Sequence, residues 1–420
     1  MSSILKQNAR EVLTDDSKTD TIGKIIDRKE EQEELDSDVF NPIKEGDVGV
    51  STTYIYGGSG TGKTYTVNMK VAEVEEEVED PLSLEAIYIN GRKYTTYHKF
   101  LVKLLDQLSH RLPVKINGKS IEKVPASGRS VSFLYDLLKE LVEQHECRLL
   151  VTLDEIDKIN KDGAQQIISM FWDMKSQGFD VQLISISNDP IMLESLDGDI
   201  DRRIGNKIHF PHYNAVQLTE ILQEFAELTL KEGSYEKEEL VYIAKEVATT
   251  SGSASEAKKL LYHTAKRSED HLDSDLMDEA QDKVEKQMLR DEVFSKPLHH
   301  QLSLLAVAKC QLDYEQAQRR GSTNHAEKDA PTTKKIYNRY SEICRKFDIE
   351  AKSRRTLIRS LNTLEKDDMI STNLEGLGRG KGVSKLHRLM YDSAIMEELL
   401  LESLEDDIYL GEEEIQKVKI

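Results

Sequence analysis

The sequence predicts an α/β fold: a P-loop domain built on a mostly parallel sheet, then a small all-helical domain, then a winged helix-turn-helix. Three observations carry this. Gly57-Gly58-Ser59-Gly60-Thr61-Gly62-Lys63-Thr64 fills the P-loop pattern at every fixed position, directly after the apolar-aromatic run Thr53-Tyr54-Ile55-Tyr56. Strand-like and helical segments then alternate, as in a parallel sheet covered on both faces. The last third orders three helices and a glycine-tipped hairpin.

The elements follow in chain order. A chain of 420 residues exceeds one core and predicts two or three domains. Residues 1–50 are polar, with a helix around 27–35. A base domain over 51–212 carries strands at 53–56, 86–89, 149–153, 181–187 and 207–210. Asn214 then reads as an N-cap before Leu218, Ile221, Leu222 and Phe225, and Leu240, Ile243, Ala244 and Val247 repeat that helical spacing, giving a helical domain over 213–290. In the region 297–392, Leu302, Leu305 and Ala306 mark a first helix, and the polar stretch 311–333 reads as a loop or insertion. Ile336, Tyr340, Ile343, Cys344 and Phe347 mark a second helix, and Leu357, Leu361 and Leu364 a third. Strands at 369–372 and 383–391 flank the glycine-rich turn 376–382, and residues 393–420 read as an acidic tail.

Composition narrows the function classes. No apolar run approaches the roughly 20 residues that span a membrane, and the first residues do not lead into a signal-peptide core. Cys147, Cys310 and Cys344 are far apart and fit neither a disulfide framework nor a metal-ligand spacing, so a reducing cytoplasm is the expected location. The net charge of −20 argues against a nucleic-acid partner for the chain as a whole. Its acids concentrate in 73–80 and in the tail, which leaves room for local basic patches; such surface acid is also compatible with a salt-rich cell interior.

The P-loop points to a nucleoside triphosphate. Its glycines let backbone N–H groups close around phosphate oxygens, and the helix beginning near Gly62 adds the positive end of its dipole. Lys63 reaches the β and γ phosphates as a point charge, and the Thr64 hydroxyl takes a place on Mg²⁺. The apolar run 149–153 ends in Asp154 and Glu155, the Walker B pattern, with Asp154 orienting the metal ion and Glu155 polarising the attacking water. Asn188 ends the next strand, where its amide would face the γ-phosphate or that water. Arg203 precedes the last strand. The residues alone leave it either an arginine finger for a neighbouring molecule or a solvated pair with Arg202 near Asp199 and Asp201. Arg354, Arg355 and Arg359 on the third helix, with Arg379, Lys381, Lys385 and Arg388 in the hairpin, make a basic surface for double-stranded DNA, although winged helices also bind protein.

Together these residues resemble the archaeal initiator family related to the origin recognition complex and the cell-division-control helicase loader. The likeness runs through 4–11, 26–31, the P-loop, 88–90, 154–157, 187–189, 210–214 and the winged helix. It implies an AAA+ module with a helical lid and a DNA-binding winged helix, ATP or ADP with Mg²⁺ as cofactors, and slow, switch-like hydrolysis. It places Arg203 as the finger and adds Ile26, Tyr65 and Tyr213 to Gly58, Ser59, Gly60, Thr61, Gly62, Lys63 and Thr64 as nucleotide contacts. The partners it implies are origin DNA, reached also through a segment near 94–112, the replicative minichromosome maintenance helicase, and further copies of the chain on DNA. Two positions depart from the family: Ser255 stands where its lid carries a sensing arginine, and Ile26-Asp27 stand where it has Pro-Gly. A divergent or accessory initiator is the reading these suggest. Two other classes fit the motifs, a signalling P-loop ATPase with a transcription or protein-contact module, and a non-catalytic DNA-binding protein with a structural nucleotide.

Overall fold

Five parallel strands form the sheet of the first part of the chain: β1 (Thr52–Tyr56), β2 (Leu84–Asn90), β5 (Arg148–Asp154), β6 (Val181–Ser187) and β7 (Asn206–His209). They lie in the order β2-β5-β6-β1-β7. A short antiparallel pair, β3 (Val114–Ile116) and β4 (Lys119–Ile121), was not expected from the sequence. These elements come from a computed structural model, which describes residues 4–14, 23–45, 51–77, 84–116, 119–121, 128–189, 192, 196–319, 330–367, 369–376 and 383–408. The chain divides into two units, Met1–Val284 and Glu285–Ile420, with the division inside the helix Met277–Ser295.

Every residue of β5 and β6 is buried, the polar Thr152, Gln182, Ser185 and Ser187 included, as expected of central strands covered on both faces. Period-two alternation sorts their side chains between two cores. Leu149, Val151 and Leu153 face the helices Tyr97–Arg111, Val131–His145 and Lys161–Ser176, whereas Leu150 packs with Ile55, Ile184 and Ile186 against Val67 and Val74 of the helix Lys63–Glu77. Thr96, Ser130 and Asn160 cap the three helices of the first face, each accepting a hydrogen bond from a backbone N–H of its first turn. The carboxyl ends of β1, β5 and β6 thus meet at one edge, where open parallel sheets bind ligands.

The helices Ala215–Thr229, Lys237–Thr250 and Ala254–Arg267 follow, the first opened by a capping box between Asn214 and Gln217. Their core also takes in Ile4 and Leu13 from the start of the chain. The Lys6 N–H donates to Thr229 O (2.7 Å) and the Lys231 N–H to Ile4 O (2.9 Å), so this segment is stitched to the helical domain.

The second unit packs the helices Leu298–Arg319, Thr333–Lys346 and Arg354–Lys366 with the hairpin β8 (Ile370–Gly376) and β9 (Val383–Leu389). Two sequence expectations are corrected. The first helix runs on to Arg319, so the expected loop at 311–333 is helical over its first part. Residues 393–408, expected as the start of an acidic tail, form the helix Ser393–Ile408, because Met396, Leu399, Leu400 and Leu404 fill one face and bury it in the unit's core. Its acids pair outward: Glu398 with Lys286 (3.2 Å), Glu402 with Arg290 (2.7 Å), and Glu397 with Lys309. The rest of the expected tail, 409–420, lies outside the described residues.

Candidate active site

The P-loop leaves β1 and enters the helix Lys63–Glu77 through backbone that only glycine takes without strain. Gly60 and Gly62 have φ of +72° and +88°, and a Cβ on Gly62 would sit 2.5 Å from the Tyr213 hydroxyl. Lys63 is buried, with its ammonium donating to the carbonyl oxygens of Gly57 (2.9 Å) and Gly58 (2.6 Å). Burial pushes its pKa down to about 8, against the opposing pull of Asp154 and Asp157.

Asp154 ends β5 in register with Asn90 of β2. Its Oδ1 accepts the Glu155 N–H (2.9 Å), and its Oδ2 accepts hydroxyls from Thr64 (3.0 Å) and Tyr88 (2.8 Å). Burial raises the Asp154 carboxyl above its usual range, and the Tyr88 and Thr64 hydroxyls oppose that shift. Glu155 adopts a left-handed backbone (φ +53°), and its carboxylate meets the Arg92 guanidinium at 2.6 Å.

A cleft of about 640 Å³ opens over these groups. Ser59 through Tyr65, Tyr88, Asp154, Glu155 and Asn188 line it together with Ile26, Tyr213 and Phe225, and with Ser255 and Lys258 from the helix Ala254–Arg267. That helix meets the loop directly, its Ala254 N–H donating to Gly60 O at 3.0 Å. Gly58 faces His212 instead of the cleft. Arg203 is likewise not among the lining residues; its guanidinium lies 4.9 Å from the centroid of the Trp172 ring. Asp199 and Asp201 pair with Arg202 (3.8 Å) and Lys207 (2.6 Å).

Three contributors were missed in the sequence. Tyr88 on β2 and Arg92 in the turn after it reach the paired acids, and Arg28, fully buried, reaches the P-loop from far along the chain. Arg28 donates to Thr61 O (2.9 Å) and Pro211 O (2.6 Å), pairs with Glu31 (2.8 Å), and stacks 3.8 Å from the Tyr213 centroid. Asp27, where the resembling family has glycine, keeps a positive φ of 63° and accepts a hydrogen bond from Gln217.

A hard carboxylate and a hydroxyl converging beside a glycine-lined loop suit Mg²⁺ and phosphate, so the donor set fits the expected cofactors.

A family model described as an AAA domain matches residues 49–188, and one described as the CDC6 C-terminal winged helix domain matches 291–399. The ORC1-type DNA replication protein of Pyrococcus abyssi is 26% identical over 365 residues, covering 85% of this chain and 82% of the relative. The ORC1-type DNA replication protein 3 of Sulfurisphaera tokodaii is 28% identical over 375 residues, covering 88% and 87%. The chain carries an AAA domain followed by a CDC6-type C-terminal winged helix domain, and it is similar over most of its length to ORC1-type DNA replication proteins. The fold agrees: the Aeropyrum pernix ORC1 protein, solved in complex with DNA, superposes with a TM-score of 0.74 at 22% identity, over 98% of this chain and all of that one.

In the Cdc6-type winged helix, Ser353 caps the helix Arg354–Lys366 by accepting from the Thr356 N–H. Leu357, Leu361 and Leu364 face the core, and Arg354, Arg355 and Arg359 are left exposed together. Lys385 and Arg388 are exposed on β9, whereas Arg379 and Lys381 lie outside the described residues.

Proposed function

We propose that this initiator-type chain binds ATP with Mg²⁺ in the AAA cleft, recognises origin DNA through its winged helix, and helps to recruit the replicative helicase. The observation that carries the reading is the meeting of Thr64 and Asp154 at 3.0 Å beneath the glycine-lined loop. Bound magnesium would neutralise phosphate charge there, held by those two residues. Lys63 would turn from the loop carbonyls to the phosphates, Asn188 would hydrogen-bond the γ-phosphate or the attacking water, and Glu155 would take the proton from that water. Ile26, Tyr65 and Tyr213 would flank the base.

Arg203 lies outside its own chain's cleft, which supports a role toward a nucleotide held by a neighbouring copy. Hydrolysis would then depend on self-association, and ATP would act as a switch whose γ-phosphate contacts hold the lid in one arrangement. Arg354, Arg355 and Arg359 would engage the major groove, which accommodates one helix with its arginines on guanine edges. The likeness to ORC1-type replication proteins supports origin DNA over a promoter.

Selection of bound fragments from the host genome tests this reading. One enriched locus, lost with Arg355→Ala, is the expected result; enrichment spread over promoters would reject the origin role in favour of a transcriptional one.

A further inference from the structure

We propose that Tyr88 is a positioning residue for Asp154, its hydroxyl holding the carboxylate in the orientation that receives the magnesium–triphosphate complex. This rests on the nucleotide-binding reading above and assigns one more residue to it.

The geometry is unusual for a tyrosine. Along β2, Ile87 and Ile89 turn into the core, while Tyr88 and Asn90 line the cleft. Tyrosine ordinarily buries its ring and leaves its hydroxyl in water. Here the residue is 41% exposed, yet its hydroxyl turns inward onto a carboxylate that is 7% exposed. With the residue only partly packed, packing alone does not set that orientation.

What the hydroxyl touches explains it. Asp154 Oδ1 is held by the backbone N–H of Glu155 at 2.9 Å, which leaves rotation of the carboxylate to be set at Oδ2. The Thr64 hydroxyl is one partner there, at 3.0 Å, but Thr64 is itself expected on the metal. Tyr88, at 2.8 Å, is the partner of Oδ2 with no such second duty. Outer partners that orient a ligating carboxylate commonly contribute about tenfold or more to metal affinity.

Tyr88→Phe removes one oxygen from a partly exposed ring and leaves the strand intact. Nucleotide binding is measured by calorimetry across a magnesium titration and again in excess chelator, for wild type and variant, with thermal midpoints recorded. In Tyr88→Phe we expect the magnesium concentration at half-maximal enhancement of ATP binding to rise about tenfold. Metal-free ATP affinity and the thermal midpoint stay as in wild type. An unchanged magnesium midpoint overturns the proposal while leaving the nucleotide site standing. An equal loss with and without metal also overturns it, because the phenol would then contact nucleotide directly. Wild type that binds no nucleotide under any condition defeats the underlying reading as well.

Discussion

The guanidinium of Arg28 donates to the carbonyl oxygen of Thr61 at 2.9 Å, joining a polar N-terminal stretch to the residue just before the last glycine of the P-loop. The same group holds Pro211 O, pairs with Glu31 and stacks on Tyr213, so the P-loop and the segment between β7 and the helix Ala215–Thr229 converge on one buried cation. Removing one member of a buried pair strands its partners. Arg28→Ala should therefore destabilise the first unit by roughly 3 kcal/mol and weaken nucleotide binding. Arg28→Lys should recover little, because an ammonium lacks the planar fork that reaches Glu31 with one nitrogen and both carbonyls with the other. Denaturant titration followed by nucleotide binding checks both.

Lys63 gives a signed pH dependence. Its folded pKa of about 8 lies below that of a free lysine, so between those values the unfolded chain binds the proton more tightly. Stability of the ligand-free protein should rise with pH from about 8 toward the free-lysine range. A triphosphate beside the ammonium favours the charged form, so binding should take up protons and ATP affinity should fall as pH climbs past about 8. Calorimetry in buffers of different ionisation enthalpy measures the uptake.

Glu155 lines the cleft with its carboxylate tied to Arg92 at 2.6 Å. Glu155→Gln should lower ATP turnover by about a hundredfold or more with nucleotide affinity preserved, as for loss of a general base. Arg92→Ala, which releases the carboxylate, should raise turnover without tightening binding. Steady-state hydrolysis beside equilibrium binding separates the two effects.

Trp172 is the chain's single tryptophan, and Arg203 lies over it. Its emission should change on Arg203→Ala and, in wild type, on any assembly that draws the guanidinium toward a neighbour's nucleotide. Under the finger reading, Arg203→Ala should lose turnover but keep ATP affinity. Mixing it with Lys63→Ala protein should restore activity, because each variant supplies what the other lacks.

On the winged helix, Arg355→Ala should cost about 1–3 kcal/mol of DNA affinity and relax sequence preference at one position if it reads a base, or flatten the salt dependence if it meets a phosphate. Fluorescence anisotropy over a salt series distinguishes these outcomes.

The parts of this molecule that were legible in its sequence are local ones. Glycine spacing at 57–62, the apolar run into Asp154-Glu155, and the helical period through Leu357, Leu361 and Leu364 each declare themselves within a few residues. Arg28 was hidden because its partners at Thr61 and Pro211 are brought to it only by the fold. Tyr88 was hidden because strand register, not sequence distance, carries it to the end of β5, and Arg92 because it reaches Glu155 from the turn beyond β2. The helix Ser393–Ile408 was obscured differently: its many acids dominate the composition, although Met396, Leu399, Leu400 and Leu404 keep a helical spacing.

The central claim, a magnesium–triphosphate held between the P-loop amides and Asp154, is tested most directly by calorimetric titration of ATP into the full chain with and without Mg²⁺. The account predicts one nucleotide bound per chain, tighter with magnesium, and lost in Lys63→Ala. Heats indistinguishable from dilution in wild type, or full binding retained by Lys63→Ala, would contradict it.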